Sequence, residues 1–62
     1  MDEKYIGPGT RIRWTDVVPG NDEPVAYDGT IIVELSSQFL VNCSDNVVRF
    51  VFKNNRSIRR SE

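Results

Sequence analysis

The chain contains no histidine and a single cysteine, Cys43. One thiol cannot close an internal disulfide, and without histidine neither a typical zinc site nor the usual pair of nucleophile and imidazole base can be assembled. The sequence also lacks a glycine-rich phosphate loop and the regularly spaced carboxylates of a calcium loop. We therefore expect a protein that is not an enzyme and that holds no metal ion or cofactor, with Cys43 as a small core residue.

Long hydrophobic runs are missing as well. The first four residues carry three charges, and no stretch approaches the roughly 20 apolar residues that a membrane span requires. These absences predict a cytoplasmic protein without a membrane partner.

The chain is short, with 62 residues, of which 39% are hydrophobic and 27% are charged. This composition is typical of a folded module rather than a disordered segment. A domain of this size hides only about 60% of the surface of its unfolded chain, so its core alone gives marginal stability. We therefore expect a homo-oligomer, since association supplies additional burial.

The net charge of −1 conceals an uneven distribution of charge along the chain. Residues 1–45 hold three basic and eight acidic residues, a net charge of −5, whereas residues 46–62 hold five basic and one acidic, a net charge of +4. A local basic patch can bind an anionic partner even when the pI is near 5.3. The low pI nevertheless argues against a dedicated binder of duplex nucleic acid.

Alternation of apolar and polar residues predicts short strands. Thr10 to Thr15 alternate strictly, with Ile12 and Trp14 on the inward side, and a turn-rich acidic loop is expected over residues 16–26. Three further segments, 30–35, 38–43 and 47–53, are rich in β-branched and aromatic residues and form an antiparallel meander. Gly29 is interpreted as a bend or bulge. Ile58 is interpreted as the anchor of a short closing strand beside the first, or alternatively the segment 56–60 frays.

The faces of these strands follow from the same alternation. In the last long strand Val48, Phe50 and Phe52 share a face, which we expect to point inward. The predicted core comprises these residues together with Ile12, Trp14, Ile31, Val33, Phe39 and Val41. The opposite face of that strand is then a mixed surface suited to contact with a protein, formed by Val47, Arg49, Val51 and Lys53.

One strand, a long loop, a three-strand meander, a tight turn and a short last strand resemble the layout of SH3-like small β-barrels, as in KOW and Tudor domains. The resemblance covers residues 9–60 and includes Gly9-Thr10-Arg11-Ile12-Arg13-Trp14 at the opening of the first strand. It implies an all-β, five-stranded barrel at 9–60, after a flexible segment at 1–8 and before a C-terminal end at 61–62. An OB-like barrel is the alternative fold.

Two classes of function are compatible with such a module. In the first, the chain is a small regulator or inhibitor that binds a protein through a sheet edge or through the exposed face of the last long strand. The second is binding of single-stranded RNA or DNA, in which arginines contact phosphates and tyrosines stack on bases. The candidate residues for the second function are Arg11, Arg13, Arg56, Arg59, Arg60, Tyr5 and Tyr27. We expect protein binding, because the acidic loop and the overall charge oppose nucleic acid.

Overall fold

The computed structural model describes residues 5–61, which form an all-β domain of five strands. The strands are β1 (Arg11–Asp16), β2 (Val25–Glu34), β3 (Gln38–Cys43), β4 (Val48–Phe52) and β5 (Arg59–Arg60). They build one antiparallel sheet in the order β4-β3-β2-β1-β5. The predicted all-β class and the five strands are confirmed. Hydrogen bonds do not close the sheet, so β4 and β5 are its two edges. No helix within the described part of the chain is long and apolar enough to cross a membrane.

The first two strands form a longer hairpin than the sequence predicts. Their pairing extends from Arg11 opposite Thr30 to Asp16 opposite Val25. The expected loop over residues 16–26 is therefore too long at both ends, and only residues 17–24 connect the strands. Gly20 adopts φ 92° in this connection, a conformation that a glycine reaches without strain.

The core lies on one face of the sheet and is made of apolar side chains from the first four strands. The buried residues are Ile12, Trp14, Ile31, Phe39, Val41, Cys43 and Val51. The predicted inward positions of β1 and β3 are confirmed, and so is the core role of Cys43. Ile6 and Ile58 are half-buried and pack against this cluster from the two ends of the chain.

A bulge in β2 changes the direction of its side chains. Ile31 pairs with Val41 and Val33 pairs with Leu40, so Ile32 is an extra residue without a partner on β3. The shift turns Val33 away from the core, and its side chain is exposed rather than buried as predicted.

Gly29 is not the bulge that the sequence suggested. It lies within the regular part of β2, opposite both Ile12 and Cys43. A Cβ atom at this position would stand 2.5 Å from the carbonyl oxygen of Asn42. Glycine is therefore required because the backbone of β3 approaches closely.

The predicted faces of β4 are reversed. Val51 is only 2% exposed, whereas Phe50 and Phe52 are 58% and 57% exposed. The prediction that Val48, Phe50 and Phe52 point inward is wrong, because Val51 fills the core opposite Phe39. The more apolar face of the strand is thus the one in contact with solvent.

The C-terminal segment closes against the first strand, so the closing strand, one of the two alternatives, is the one formed. Arg60 pairs with Ile12 and Arg59 pairs with Arg13, while the N–H of Ser61 donates to the carbonyl oxygen of Arg11 over 2.8 Å. Residues 1–4 of the predicted N-terminal segment and residue 62 lie outside the described part of the chain.

Candidate functional site

The exposed side of β2, β3 and β4 carries a group of neighbouring apolar side chains, which we call the outer apolar surface. Phe50 and Val33 both pair with Leu40, one from each side, so these three residues form a row across the strands. Val48 and Phe52 flank Phe50 on the same side of β4 because side chains alternate along a strand. All except the half-buried Leu40 are at least 40% exposed. The outer apolar surface comprises Val33, Leu40, Val48, Phe50 and Phe52.

The backbone of β4 adds a second feature, a free edge. The N–H of Cys43 donates to the oxygen of Val47, and the N–H of Lys53 donates to the oxygen of Ser37, each over 3.0 Å. Because bonded pairs alternate in an antiparallel ladder, the odd-numbered residues of β4 bond to β3 and the even-numbered ones direct N–H and C=O outward. Val48, Phe50 and Phe52 therefore present both their side chains and their backbone groups to a partner.

One of these outward groups has an internal bond. The carbonyl oxygen of Phe52 accepts a hydrogen bond from the N–H of Asn55 over 3.0 Å, at the turn that follows β4. The outward donors and the oxygens of Val48 and Phe50 have no such bond within residues 5–61. The edge therefore offers most of its hydrogen-bonding capacity to a strand from another molecule.

The surface predicted for protein contact is not formed, because Val51 is buried. Arg49 lies over the ring of Tyr27, with its guanidinium carbon 4.8 Å from the ring centroid, and it also bonds Asp45 over 3.0 and 3.1 Å. Lys53 lies 5.4 Å from the centroid of the Phe39 ring and pairs with Glu34 over 2.7 Å. Val47, at 46% exposed, is the one member of the predicted group with an exposed apolar side chain. The two basic side chains therefore lie over aromatic rings of the same chain.

The ion pair beside the β3–β4 turn shifts the pKa of both members. The hydrogen bonds from Arg49 hold the pKa of Asp45 below its ordinary value against the opposing effect of burial, and the N–H of Val47 adds a smaller lowering. The same contacts with Asp45 raise the pKa of Arg49. The pair orders the turn that leads into β4, where Asn46 adopts φ 66°.

The structure brings some of the predicted arginines together at the opposite edge of the sheet. Arg13 and Arg59 are direct cross-strand neighbours, and Arg11 lies on the same side of β1 as Arg13. Arg11 pairs with Asp28 over 2.9 Å, whereas Arg13 makes no ion pair within residues 5–61. Arg59 donates to the carbonyl oxygens of Arg56 and Ile58, each over 2.9 Å. Arg60, opposite Ile12, points to the other side of the sheet from Arg59.

The two tyrosines predicted to stack on bases lie in different environments. Tyr27 stacks on Trp14 with ring centroids 5.6 Å apart, and Arg49 lies over its ring. Its aromatic surface is therefore occupied by side chains of the same chain. Tyr5 is 54% exposed. The phenylalanines of β4 are exposed to about the same extent as Tyr5 and more than Tyr27. The sequence signal for them was the high apolar content of both faces of one strand.

The described residues contain no cluster of metal ligands and no exposed thiol. No three side chains of the Cys, Asp and Glu types come together there as ligands for a metal ion. Cys43 is 4% exposed and lies within the apolar core.

Comparison of the chain with protein-family models, with curated proteins and with solved structures finds no match.

Proposed function

We propose that the chain is a non-enzymatic protein-interaction module with an SH3-like barrel layout, and that it binds its partner through the outer apolar surface and the free edge of β4. The observation that carries this proposal is the orientation of β4. Its two phenylalanines are more than half exposed, while the less apolar face of the same strand covers the core.

Orientation of this kind lowers the stability of an isolated domain. Burying a phenylalanine side chain instead of exposing it stabilises a fold by about 1.5–3 kcal/mol. The isolated domain would therefore be more stable if Phe50 and Phe52 pointed inward. Departures from the expected pattern are concentrated at functional sites. A partner that covers Phe50 and Phe52 buries these side chains on association, and this burial stabilises the complex.

The composition of the surface fits a protein partner. None of its five residues is charged, and the polar side chains of Gln38 and Asn42 stand beside Phe52 and Val48 on the same side of the sheet. An apolar centre with a polar rim is typical of protein interfaces, and exposed aromatic residues contribute a large share of their binding energy. The adjacent free edge allows a strand of the partner to pair with β4.

The test compares capture of proteins from a lysate, to which soluble wild-type chain has been added, by immobilised wild-type chain and by two variants. Phe52→Ser removes an aromatic ring from the outer apolar surface, whereas Val17→Ser alters a residue that is 71% exposed in the β1–β2 connection. We expect the first variant to lose specific partners and the second to keep them, at low and at high salt alike. Equal capture by all three proteins would contradict the proposal.

A second candidate function, binding of single-stranded nucleic acid, is favoured by the pairing of Arg13 with Arg59. Like charges directly opposite each other destabilise a sheet, and a phosphate between them would remove the repulsion.

The nucleic-acid candidate is tested by fluorescence anisotropy of labelled single-stranded RNA and DNA at two salt concentrations. Binding that weakens steeply with salt, is lost in Arg13→Gln/Arg59→Gln and is retained in Phe52→Ser would support it. Absence of binding by the wild-type chain at low salt would exclude it.

A further inference from the structure

We propose that the partner at the β4 edge is a second copy of this chain, paired antiparallel about a two-fold axis through Phe50. The inference rests on the proposed function and deepens it by identifying the partner. The joined molecule would be a continuous sheet made from two five-stranded sheets, with the outer apolar surfaces side by side.

The backbone groups of β4 are self-complementary in this register. Phe50 is the central residue of the strand Val48–Phe52, so a two-fold axis there places Phe50 opposite its own copy. Since the N–H and C=O of Phe50 point outward, the two copies exchange a pair of hydrogen bonds at the axis. The N–H of Phe52 then reaches the oxygen of Val48 in the other copy, once on each side, and the Phe52 oxygen keeps its bond from Asn55.

The side chains agree with the same register. On the outer side, Val48 stands opposite Phe52 of the second copy and Phe50 stands opposite Phe50, so every cross-strand pair is apolar. On the inner side, Arg49 stands opposite Val51, which avoids a like-charge pair, and the charge of Arg49 is already compensated by Asp45. No charged residue of β4 opposes association.

The size of the contact sets the expected strength. Four phenylalanine rings, each a little more than half exposed, offer roughly 400 Å² in the two copies together. With the valines and the edge backbone added, the buried area of the interface lies near the lower limit for specific association. An interface of this size corresponds to a reversible dimer. Such an edge is five residues long and holds no proline or lysine that would block pairing.

Sedimentation equilibrium over a wide range of protein concentration measures the association directly. We expect the mass to rise from 7.1 kDa toward twice that value as the concentration rises from micromolar to millimolar. A mass that stays at 7.1 kDa up to millimolar concentration would overturn the proposal, whatever the lysate experiment shows.

Amide hydrogen exchange of the same samples identifies the surface used. The amides of Phe50 and Phe52 point away from the sheet, so we expect them to exchange quickly in dilute samples and more slowly as the dimer forms. The amide of Val51, which bonds within the sheet, is the internal reference. Association without slower exchange at Phe50 would place the contact elsewhere and overturn the proposed register.

Two variants at one position separate the backbone contribution from the side chain. Phe50→Pro removes the outward donor without affecting the bonds to β3, whereas Phe50→Ala removes the ring and keeps the donor. We expect both to weaken association and the proline variant to weaken it about tenfold further, because the two central bonds are lost. Equal affinity of the two folded variants would exclude edge pairing; if the proline variant does not fold, the exchange measurement on the wild type decides.

The failures of the two proposals are distinguishable. A monomer whose capture of other proteins depends on Phe52 would refute self-association and retain the proposed function. A monomer whose capture is unaffected by Phe52→Ser would refute both.

Discussion

Gly29 shows how strongly one residue is constrained by its neighbours. It is the point at which β2 pairs with Ile12 on one side and Cys43 on the other, and a Cβ atom there would meet the Cα of Cys43 at 2.7 Å and the oxygen of Asn42 at 2.5 Å. Both obstacles are backbone atoms, which rotation of a side chain cannot relieve. The sequence identified this glycine as special but attached it to a bulge, because close approach of a neighbouring strand leaves no local signal.

We predict that Gly29→Ala destabilises the domain by about 2–3 kcal/mol, since β3 must move to admit the methyl group. Gly20→Ala is the matched control: its φ of 92° carries a conformational cost of about 1 kcal/mol, but no atom lies within 4 Å of the added carbon. Urea unfolding of both variants measures the difference. A smaller loss for Gly29→Ala than for Gly20→Ala would contradict the close approach.

Asp45 is the residue at which pH acts on the turn before β4. Its carboxylate accepts bonds from both guanidinium nitrogens of Arg49 and from the N–H of Val47, and these bonds lower its pKa below the ordinary 3.8. A lowered pKa in the folded state means that the pair stabilises the fold above the unfolded pKa. The contribution is lost as the pH falls through the folded pKa.

We expect NMR titration of Asp45 to give a midpoint below 3.8 in the wild type and a higher midpoint in Arg49→Gln. The effect on stability is small because the pair is exposed to solvent. An unchanged midpoint in the variant would show that Arg49 is not the cause of the shift.

At the scale of the element, the alternation of residues along β4 does not determine which of its two faces is buried. Both of its faces are apolar enough for a core, and the pattern favours the face with Phe50 and Phe52. The structure uses the other face, because Val51 fills the core while the guanidinium of Arg49 and the ammonium of Lys53 lie over aromatic rings. Long basic side chains count as polar in a sequence pattern, yet they cover apolar surface, and this is why the pattern assigned Phe50 and Phe52 to the core.

We predict opposite sensitivities for neighbouring positions of β4. Val51→Ala leaves a cavity in the core and lowers the free energy of unfolding by about 2 kcal/mol. Phe50→Ala removes a larger but mostly exposed side chain and lowers it by less than about 1 kcal/mol, which is the scale of its cross-strand contact with Leu40. Urea unfolding in dilute samples checks the order. A larger loss for Phe50→Ala would show that the phenylalanine faces the core.

At the scale of the whole molecule, short-range patterns were sufficient for the strands but not for their relative placement. The number of strands, the inward faces of β1 and β3 and the closing strand near Ile58 are determined by alternation and turn residues within a few positions. The bulge at Ile32 and the face of β4 depend on how each strand pairs with β3, which alternation within a single strand does not reveal. These two features together create the outer apolar surface, since the first exposes Val33 and the second exposes the phenylalanines.

An exposed apolar surface on a domain this small links stability to concentration. A dimer that forms only from folded chains removes them from the folding equilibrium, so a rise in total chain concentration from the dissociation constant to about 100 times that value adds roughly 1 kcal/mol of stability. For a domain of about 60 residues each kcal/mol raises Tm by about 4–8 °C. We therefore expect Tm of the wild type to rise by at least several degrees across this range.

Phe50→Pro provides the reference for this measurement, because it lacks the edge donor and its Tm is expected to stay constant over the same range. A Tm of the wild type that does not depend on concentration would mean that the folded chain is stable without its neighbour. The core of Ile12, Ile31, Val41 and Val51, all at most 2% exposed, would then be sufficient by itself. A concentration-dependent Tm that disappears in Phe50→Pro would make the β4 edge part of what stabilises the fold.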